Sequence, residues 1–205
     1  MNDLEQNRNT GIVSGYRAVV IGGSAGSFQV VTRILSSLPV NFNLPVILCL
    51  HRLKHVRQGF VEALNLKSNL KVVEPDDKEI IRNGLAYLAP ANYHLYVELG
   101  NYFALSTEEM VKFSRPSIDL TLDSASYFYK EKMIAILLSG ANSDGADGMK
   151  MAKKRGALTL VQSPQEASIK TMPEAAISAT TIDHILKTDD LVELLIKLNG
   201  VNLRN

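Results

Sequence analysis

The sequence predicts an α/β protein built on a doubly wound, mostly parallel sheet with helices on both faces. Short apolar runs alternate along the chain with helix-like patterns. Runs such as VVIG, VILCL and IAILLS are apolar on both faces of a strand, which is typical of parallel strands covered by helices on either side. A length of 205 residues suits one domain.

The pattern then places each element in order. Strands are expected at 17–22, 45–51, 69–74, 85–89, 93–99, 102–105, 133–139 and 157–162. Helices are expected at 27–37, 58–66, 117–130, 145–155, 173–179 and 189–198. The segment LAYLAPANYHLYVELGNYFALS alternates and carries turn signals, so it predicts antiparallel hairpins with a short turn at Gly100-Asn101. We expect one domain at 17–199, between a polar N-terminal tail at 1–16 and a C-terminal tail at 200–205.

Composition excludes several classes of protein. The formal net charge of +1 argues against a nucleic-acid binder that depends on a strongly basic surface. No apolar stretch approaches the roughly 18 residues of a membrane span, and the start MNDLEQNRNTG is too polar for a signal peptide. The single cysteine, Cys49, cannot form an internal disulfide, and its apolar surroundings predict a core residue. The sequence therefore predicts a cytoplasmic protein without membrane insertion.

Polar side chains follow the predicted buried strands. The first strand leads into GGSAG, the second ends in His51, and the strand at 133–139 leads into GANSDGADG. In a doubly wound sheet the ligand lies beyond the carboxyl ends of the strands. We therefore expect Ser24, His51 and Asp144 to lie at the same edge of the sheet.

The glycine-rich turn after the first strand suggests either a phosphate site or a nucleophile. A dinucleotide-binding G-x-G-x-x-G pattern fails, because its second and third glycines fall on Ser24 and Ser27 and no acidic residue ends the second strand. The stretch GGSAG instead matches G-x-S-x-G between a strand and a helix, which presents Ser24 as a nucleophile. The N–H of Ala25 is then placed to bind an oxyanion. The alternative is a simple turn in which Ser24 or Ser27 caps the helix.

Four histidines compete as the base. His51 ends an apolar strand, and His55 follows it in HRLKH, a spacing that also suits a metal site. A zinc-protease helix would carry Glu where Arg52 stands, so we expect no metal. We expect His94, in a hairpin, and His184, in a late turn, to be structural.

Two aspartates compete as the acid in SGANSDGADGM. A calcium loop is excluded, because the alternating acidic ligands and the closing glutamate are missing. Asp144 lies in the glycine-rich turn, whereas Asp147 is expected near the start of the next helix. The candidate triad is therefore Ser24, His51 and Asp144, in a chain order that differs from the Ser–Asp–His order of α/β-hydrolases.

Across six segments, the chain resembles the catalytic domain of bacterial chemotaxis protein-glutamate methylesterases. The matching segments, in order, are VVIGGSAGSFQVVTRIL, LHRLKHVRQGFVEAL, NGLAYLAPANYHLYV, SRPSID, AILLSGANSDGADGMKMAKKRGALTLVQ and EASIKTMPEAA. The resemblance implies a modified doubly wound fold and hydrolysis of glutamyl methyl esters on chemotaxis receptors, often with deamidation of receptor glutamines. It implies Ser24 as nucleophile, His51 as base and Asp144 as orienting acid, without a cofactor.

The sequence departs from the pattern of this family at several positions. Ala25 replaces the usual threonine after the nucleophile, and Ala141 replaces a methionine before the aspartate turn. Ser114 replaces the histidine of a His-Arg-Pro-Ser segment, whereas Arg115 remains and Ser117 is placed to cap the next helix. The resemblance puts Ala25, Ala141 and Arg115 on the oxyanion and substrate side, and Arg115 also suits a structural ion pair.

The resemblance also bears on regulation. Members of the family usually carry an N-terminal receiver domain, whereas only residues 1–16 precede the first predicted strand here. That is too few for a domain of about 50 residues or more. We therefore expect an enzyme that is either constitutive or controlled by a separate regulatory protein.

Other functions stay open at this stage. The basic residues Arg52, Lys54, His55 and Arg57 either steer an acidic receptor electrostatically or form a solvated loop. The chain as a whole could instead be a catalytically relaxed interaction module of a signalling complex, which the alanines at 25 and 141 favour. A general hydrolase of small esters is the other alternative.

Overall fold

The computed structural model describes residues 15–52 and 59–202. Its strands are β1 (Ala18–Gly23), β2 (Val46–Leu50), β3 (Lys71–Val73), β4 (Leu85–Leu88), β5 (His94–Glu98), β6 (Tyr102–Ser106), β7 (Met133–Leu137), β8 (Leu158–Gln162) and β9 (His184–Leu186). Seven of them form one sheet in the order β3-β4-β2-β1-β7-β8-β9, and every neighbouring pair is parallel. The predicted parallel sheet is confirmed.

Helices cover both faces of this sheet. They are α1 (Ser27–Ser37), α2 (Phe60–Asn65), α3 (Ile118–Tyr129), α4 (Ala146–Lys154), α5 (Thr171–Ala179) and α6 (Thr188–Asn202), with a 3-10 turn at Lys130–Lys132. On one face α1 packs beside α6, and on the other α4 packs between α3 and α5. Successive residues of β1 enter opposite cores, Val19 and Ile21 on the α1 side and Ala18 and Val20 on the α3 side. This explains why the strand is apolar throughout.

The central strand, β1, lies between β2 and β7. Gly23 is in register with Leu50 of β2, and Gly22 with Leu137 of β7. The chain therefore leaves all three strands at the same edge of the sheet, where the strand order changes direction. Ligand sites in doubly wound proteins lie at such a point.

The hairpin prediction is confirmed in one part and wrong in another. β5 and β6 form an antiparallel pair outside the main sheet, and Gly100 and Asn101 between them have φ angles of 106° and 67°. β4, which we expected in this antiparallel segment, is instead a parallel strand between β3 and β2. It is largely buried, so it belongs to the part of the sheet that is covered on both faces.

Two further boundaries differ from the predictions. His184 lies in the edge strand β9 rather than in a turn, and three residues are too few for an alternating pattern to reveal a strand. The last helix continues to Asn202, into the predicted C-terminal tail.

Tyr16, assigned to the N-terminal tail, is buried in the core, as is Cys49. In the described part of the chain, no helix has both the length and the apolar character that a membrane span requires.

Candidate active site

Ser24 lies in the turn between β1 and α1, at residues 24–26. Gly26 has a φ of 82°, and a Cβ atom there would lie 2.6 Å from the Ser168 Cβ. Glycine alone avoids both the contact and the left-handed backbone penalty. The Ser24 N–H donates to the Ser139 carbonyl (2.9 Å), and the Ser139 hydroxyl donates to the Ala25 carbonyl (2.8 Å). The end of β7 therefore fixes this turn.

The Ser24 side chain does not cap α1, so the simple-turn alternative is wrong for it. The N-cap position is Gly26, and no side chain caps it. Ser27 does not cap the helix either, because its hydroxyl donates to the Ser24 carbonyl at 2.6 Å. The Ser24 hydroxyl and the Ala25 N–H have no hydrogen-bond partner among the described residues. Both groups are therefore available to a ligand.

His51 directly follows β2 beside this turn. Its backbone N–H donates to the Gly23 carbonyl at 3.0 Å. Its imidazole Nε2 lies 2.7 Å from Asp144 Oδ2, whereas Nδ1 lies 3.4 Å from the Ser114 hydroxyl. The His51 side chain is 14% exposed and that of Asp144 is fully buried. The ring therefore contacts a buried carboxylate at one nitrogen and a more open region at the other.

Asp144 also binds the N-terminus of α3. Oδ1 accepts from the Ser117 hydroxyl (2.9 Å) and the Asp119 N–H (3.0 Å), and Oδ2 accepts from the Ile118 N–H (2.8 Å). Burial raises the pKa of the Asp144 carboxyl, but the hydrogen bonds from His51, Ile118 and Asp119 outweigh it and hold this pKa below its usual value. The group is therefore an acceptor, so the neutral imidazole of His51 donates from Nε2 to this carboxylate and presents a lone pair at Nδ1.

Ser24 and His51 line the same pocket, of about 490 Å³. The pocket is also lined by Ala25, Arg52, Phe60, Ser114, Arg115 and Pro116, and the exposed Met110 and Phe113 form its rim. No hydrogen bond joins the Ser24 hydroxyl to His51 in the described structure. Ser24, Ala25 and His51 nevertheless line one cavity, which brings together the residue types that acyl transfer requires.

The comparison with protein families agrees with this geometry. A family model described as CheB methylesterase matches residues 19–195, inside the predicted 17–199 domain. The chain belongs to the CheB methylesterase family. A relative from Leptospira interrogans is 42% identical over 188 residues, covering 92% of this chain and 97% of that protein.

Solved and named relatives support the same family. The crystal structure of the Thermotoga maritima CheB methylesterase catalytic domain matches with a TM-score of 0.85 and 32% identity, covering 91% of this chain and 100% of that one. A Clostridium acetobutylicum relative, named protein-glutamate methylesterase/protein-glutamine glutaminase, is 30% identical over 181 residues. The match covers 88% of this chain and 52% of that protein.

The two alanines that depart from the CheB methylesterase pattern lie in different places. Ala25 lines the pocket, as the oxyanion prediction requires. Ala141 is exposed and lies outside the pocket lining. The next residue, Asn142, contacts the site instead, because its amide donates to the Ser114 hydroxyl at 3.4 Å and accepts from the Asp144 N–H at 3.1 Å. The assignment of Ala141 to the substrate side stays a prediction.

Arg115 touches the pocket, but its guanidinium is engaged elsewhere. It donates to the Asn92 side-chain oxygen and to the carbonyls of Thr107 and Glu108. These partners are uncharged, so they do not form the predicted ion pair. They support a structural role, in which Arg115 fastens the segment after β6 to the loop before β5.

The basic cluster after His51 is only partly described. The Arg52 side chain is 2% exposed, ion-pairs with Glu74 and donates to the Ala89 carbonyl. The steering hypothesis is therefore wrong for Arg52, because its charge is buried and paired. Lys54, His55 and Arg57 lie outside the described residues.

The sequence did not reveal the roles of Asp119 and Lys112, whose side chains contact the start of α4 next to Asp144. Asp119 Oδ1 accepts from the N–H groups of Gly145 and Gly148, each at 2.8 Å, and Oδ2 lies 2.7 Å from the Lys112 ammonium. Burial raises the pKa of Asp119 above its usual value, although Lys112 opposes the shift. An acidic residue two positions after the cap Ser117 was a signal for a helix N-terminus, but nothing in the sequence pointed to Lys112.

His94 and Asp147, two of the remaining titratable candidates, have structural partners. His94 is buried, and its ring nitrogens bond the Ser117 N–H and the Glu109 carbonyl, as predicted for a structural histidine. Asp147 lies in the first turn of α4, also as predicted. No group of three or more metal-ligating side chains occurs within 15–52 and 59–202, and His55 falls outside these ranges.

Proposed function

We propose that this chain hydrolyses methyl esters of glutamyl residues on chemotaxis receptors, with Ser24 as the nucleophile, His51 as the general base and Asp144 as the residue that orients His51. One observation carries the proposal. The His51 imidazole is hydrogen-bonded to a buried carboxylate at Nε2 and presents Nδ1 in the pocket that Ser24 lines. Family membership, and relatives named protein-glutamate methylesterase, supply the substrate class.

In the first half-reaction, His51 Nδ1 takes the proton of the Ser24 hydroxyl as its oxygen attacks the ester carbonyl. The buried Asp144 carboxylate stabilises the imidazolium that forms. The bond to the methoxy group then breaks, and the imidazolium returns its proton to that oxygen, so methanol leaves. Ser24 is then joined to the receptor glutamyl group as an acyl ester.

In the second half-reaction, a water molecule gives a proton to Nδ1 and attacks the acyl ester. The bond to the Ser24 oxygen breaks, that oxygen regains a proton from His51, and the receptor glutamate is released. The oxyanion of each half-reaction is bound by backbone donors, for which the unpartnered Ala25 N–H at the start of α1 is suited. This N–H does not depend on the missing threonine side chain.

The same acyl transfer also suits a glutamine side chain, which would release ammonia instead of methanol. Relatives from Clostridium acetobutylicum and Thermotoga maritima carry protein-glutamine glutaminase in their names. A parallel assay of ammonia release from a glutamine-bearing receptor fragment tests this second activity. Control by a separate regulatory protein and a cytoplasmic location both stay predictions from the sequence.

The decisive experiment compares methanol release from a methylated receptor fragment by the wild type, Ser24→Ala and Ser114→Ala. Ser114 is the matched variant because its hydroxyl lies within 3.4 Å of His51 Nδ1. We expect Ser24→Ala to lose at least about a thousand-fold in kcat. Ser114→Ala should lose at most about ten-fold, because its hydroxyl only contacts the base. If only Ser114→Ala lost methanol release, Ser114 and not Ser24 would be the nucleophile.

Two further assays separate the alternatives. A fluorophosphonate probe should label the wild type and leave Ser24→Ala unlabelled, whereas a relaxed interaction module would not react at all. A small chromogenic ester tests the general esterase. Turnover of this ester without any methanol release from receptor would favour a small-ester hydrolase.

A further inference from the structure

A two-residue turn lies at the rim of the active-site pocket. Val111 and Ser114 exchange backbone hydrogen bonds of 3.2 and 2.9 Å, and the turn between them consists of Lys112 and Phe113. Their φ angles are 48° and 62°, in the left-handed region that residues with a side chain adopt only at a cost. Neither is glycine, so both positions carry a side chain where the backbone would favour none.

The side chain of Lys112 in this turn is held by two carboxylates and a carbonyl at the starts of α3 and α4. Its ammonium lies 2.7 Å from Asp119 Oδ2 and 2.7 Å from Asp147 Oδ2, and it donates to the Ser143 carbonyl at 3.2 Å. These acceptors lie at the N-terminal ends of α3 and α4, next to Asp144. The position of the turn is therefore fixed relative to the proposed catalytic residues.

The phenylalanine of the turn points away from any core. Phe113 is 99% exposed and Met110 is 45% exposed, and both line the rim of the pocket that contains Ser24. Exposed aromatic side chains next to a functional cavity are typical of binding surfaces. Because the Phe113 ring is almost fully exposed, it contributes little to the packing of the fold.

We propose that Phe113, with Met110 beside it, is a docking surface that packs against apolar side chains of the receptor segment that carries the glutamyl ester. The inference rests on the proposed function. The ester is at the end of a short side chain, so when its carbonyl reaches Ser24 the receptor segment that bears it must lie across the rim of the pocket. Phe113 then contacts protein substrates and leaves small esters unaffected.

The test uses Phe113→Asn, because asparagine tolerates a positive φ and therefore preserves the turn while it removes the apolar ring. We expect KM for the methylated receptor fragment to rise about ten-fold, with kcat and the hydrolysis of a small chromogenic ester within about two-fold of wild type. Phe113→Leu should recover part of the loss. The control is Val40→Ala, since Val40 is 79% exposed and lies before β2, at the opposite edge of the sheet.

The outcomes separate this inference from the proposed function. An unchanged KM in Phe113→Asn, or an equal loss on receptor and small ester, overturns the docking surface while the wild-type activity stands. Absence of methanol release in the wild type overturns the proposed function itself. Binding of the receptor fragment to Ser24→Ala, with and without Phe113→Asn, still tests the docking surface in that case, and equal affinities overturn it.

Discussion

Asp119 and Asp144 bind the N-termini of each other's helices. Asp144, just before α4, accepts the first N–H groups of α3, and Asp119, in the first turn of α3, accepts N–H groups of Gly145 and Gly148 at the start of α4. Each carboxylate also meets the positive end of a helix dipole. The proposed orienting acid, Asp144, is therefore positioned by the contacts between α3 and α4. Its location depends on Asp119, which does not line the pocket.

We expect Asp119→Ala to destabilise the protein and to lower activity indirectly. The substitution leaves two buried N–H groups at the start of α4 without their acceptor and removes one of the two carboxylates that pair with Lys112. The free energy of unfolding should fall by about 2 kcal/mol. Urea unfolding measures this loss, and kcat on a small ester should fall with it, because the start of α4, next to Asp144, loses two of its contacts with α3.

The conservative variant separates capping from charge. Asp119→Asn keeps an oxygen acceptor for Gly145 and Gly148 and loses only the attraction to Lys112. It should recover most of the stability lost in Asp119→Ala. Equal destabilisation in the two variants would mean that the Lys112 pair, and not the cap, carries the effect.

The stability of the fold should depend on the ionisation of Asp144. Its folded pKa lies below the ordinary value of 3.8. As pH falls, the Asp144 carboxylate therefore takes up a proton in the unfolded chain before it does so in the folded protein. The stabilisation that it provides is complete above pH 3.8 and is lost as pH falls through the lower pKa of the folded state. Asp144→Asn cannot titrate and should be less stable than wild type at neutral pH.

The measurement is urea unfolding of both proteins from about pH 7 to about pH 2.5. The difference in unfolding free energy between them should be constant at neutral pH and should narrow in the acid range. A difference that stays constant throughout would show that Asp144 does not titrate differently on folding. The same variant should lose about four powers of ten in kcat, because an amide that donates to Nε2 moves the imidazole proton to Nδ1.

The sequence alone could predict the mostly parallel character of the sheet and where its central strands end. Apolar runs such as VVIG identify strands covered on both faces, and parallel strands bring residues such as Ser24 and His51 to one edge. β9 escaped prediction because three partly exposed residues carry no period. β4 was assigned to the wrong pairing, because short apolar strands do not reveal which neighbour they join.

The supporting contacts of the site could not be predicted, because they join residues distant in the chain through polar side chains. Arg115 could have served a substrate or an ion pair, and only the positions of Asn92 and two carbonyls distinguish these roles. Likewise the charge of Arg52 is cancelled by Glu74 on a neighbouring segment. Composition cannot show which charges are paired.

We expect the Ser24 turn to tolerate no side chain at Gly26. Gly84, which has a similar φ angle, provides a matched control. Gly26 and Gly84 have φ angles of 82° and 75°, so alanine meets a similar backbone penalty of about 1–2 kcal/mol at each. A Cβ at Gly84 lies 3.7 Å from the nearest atom outside its neighbours, whereas at Gly26 it lies 2.6 Å from Ser168 and 2.8 Å from Ser139.

Gly26→Ala should therefore displace the turn away from Ser139 and lose both stability and activity, while Gly84→Ala should lose stability alone. The measurements are urea unfolding and the kcat for a small chromogenic ester. We expect kcat to fall at least about ten-fold in Gly26→Ala, because a shift of the Ser24 hydroxyl misaligns it with His51. If both alanine variants retain the wild-type kcat, the turn geometry at Gly26 is not what presents the nucleophile.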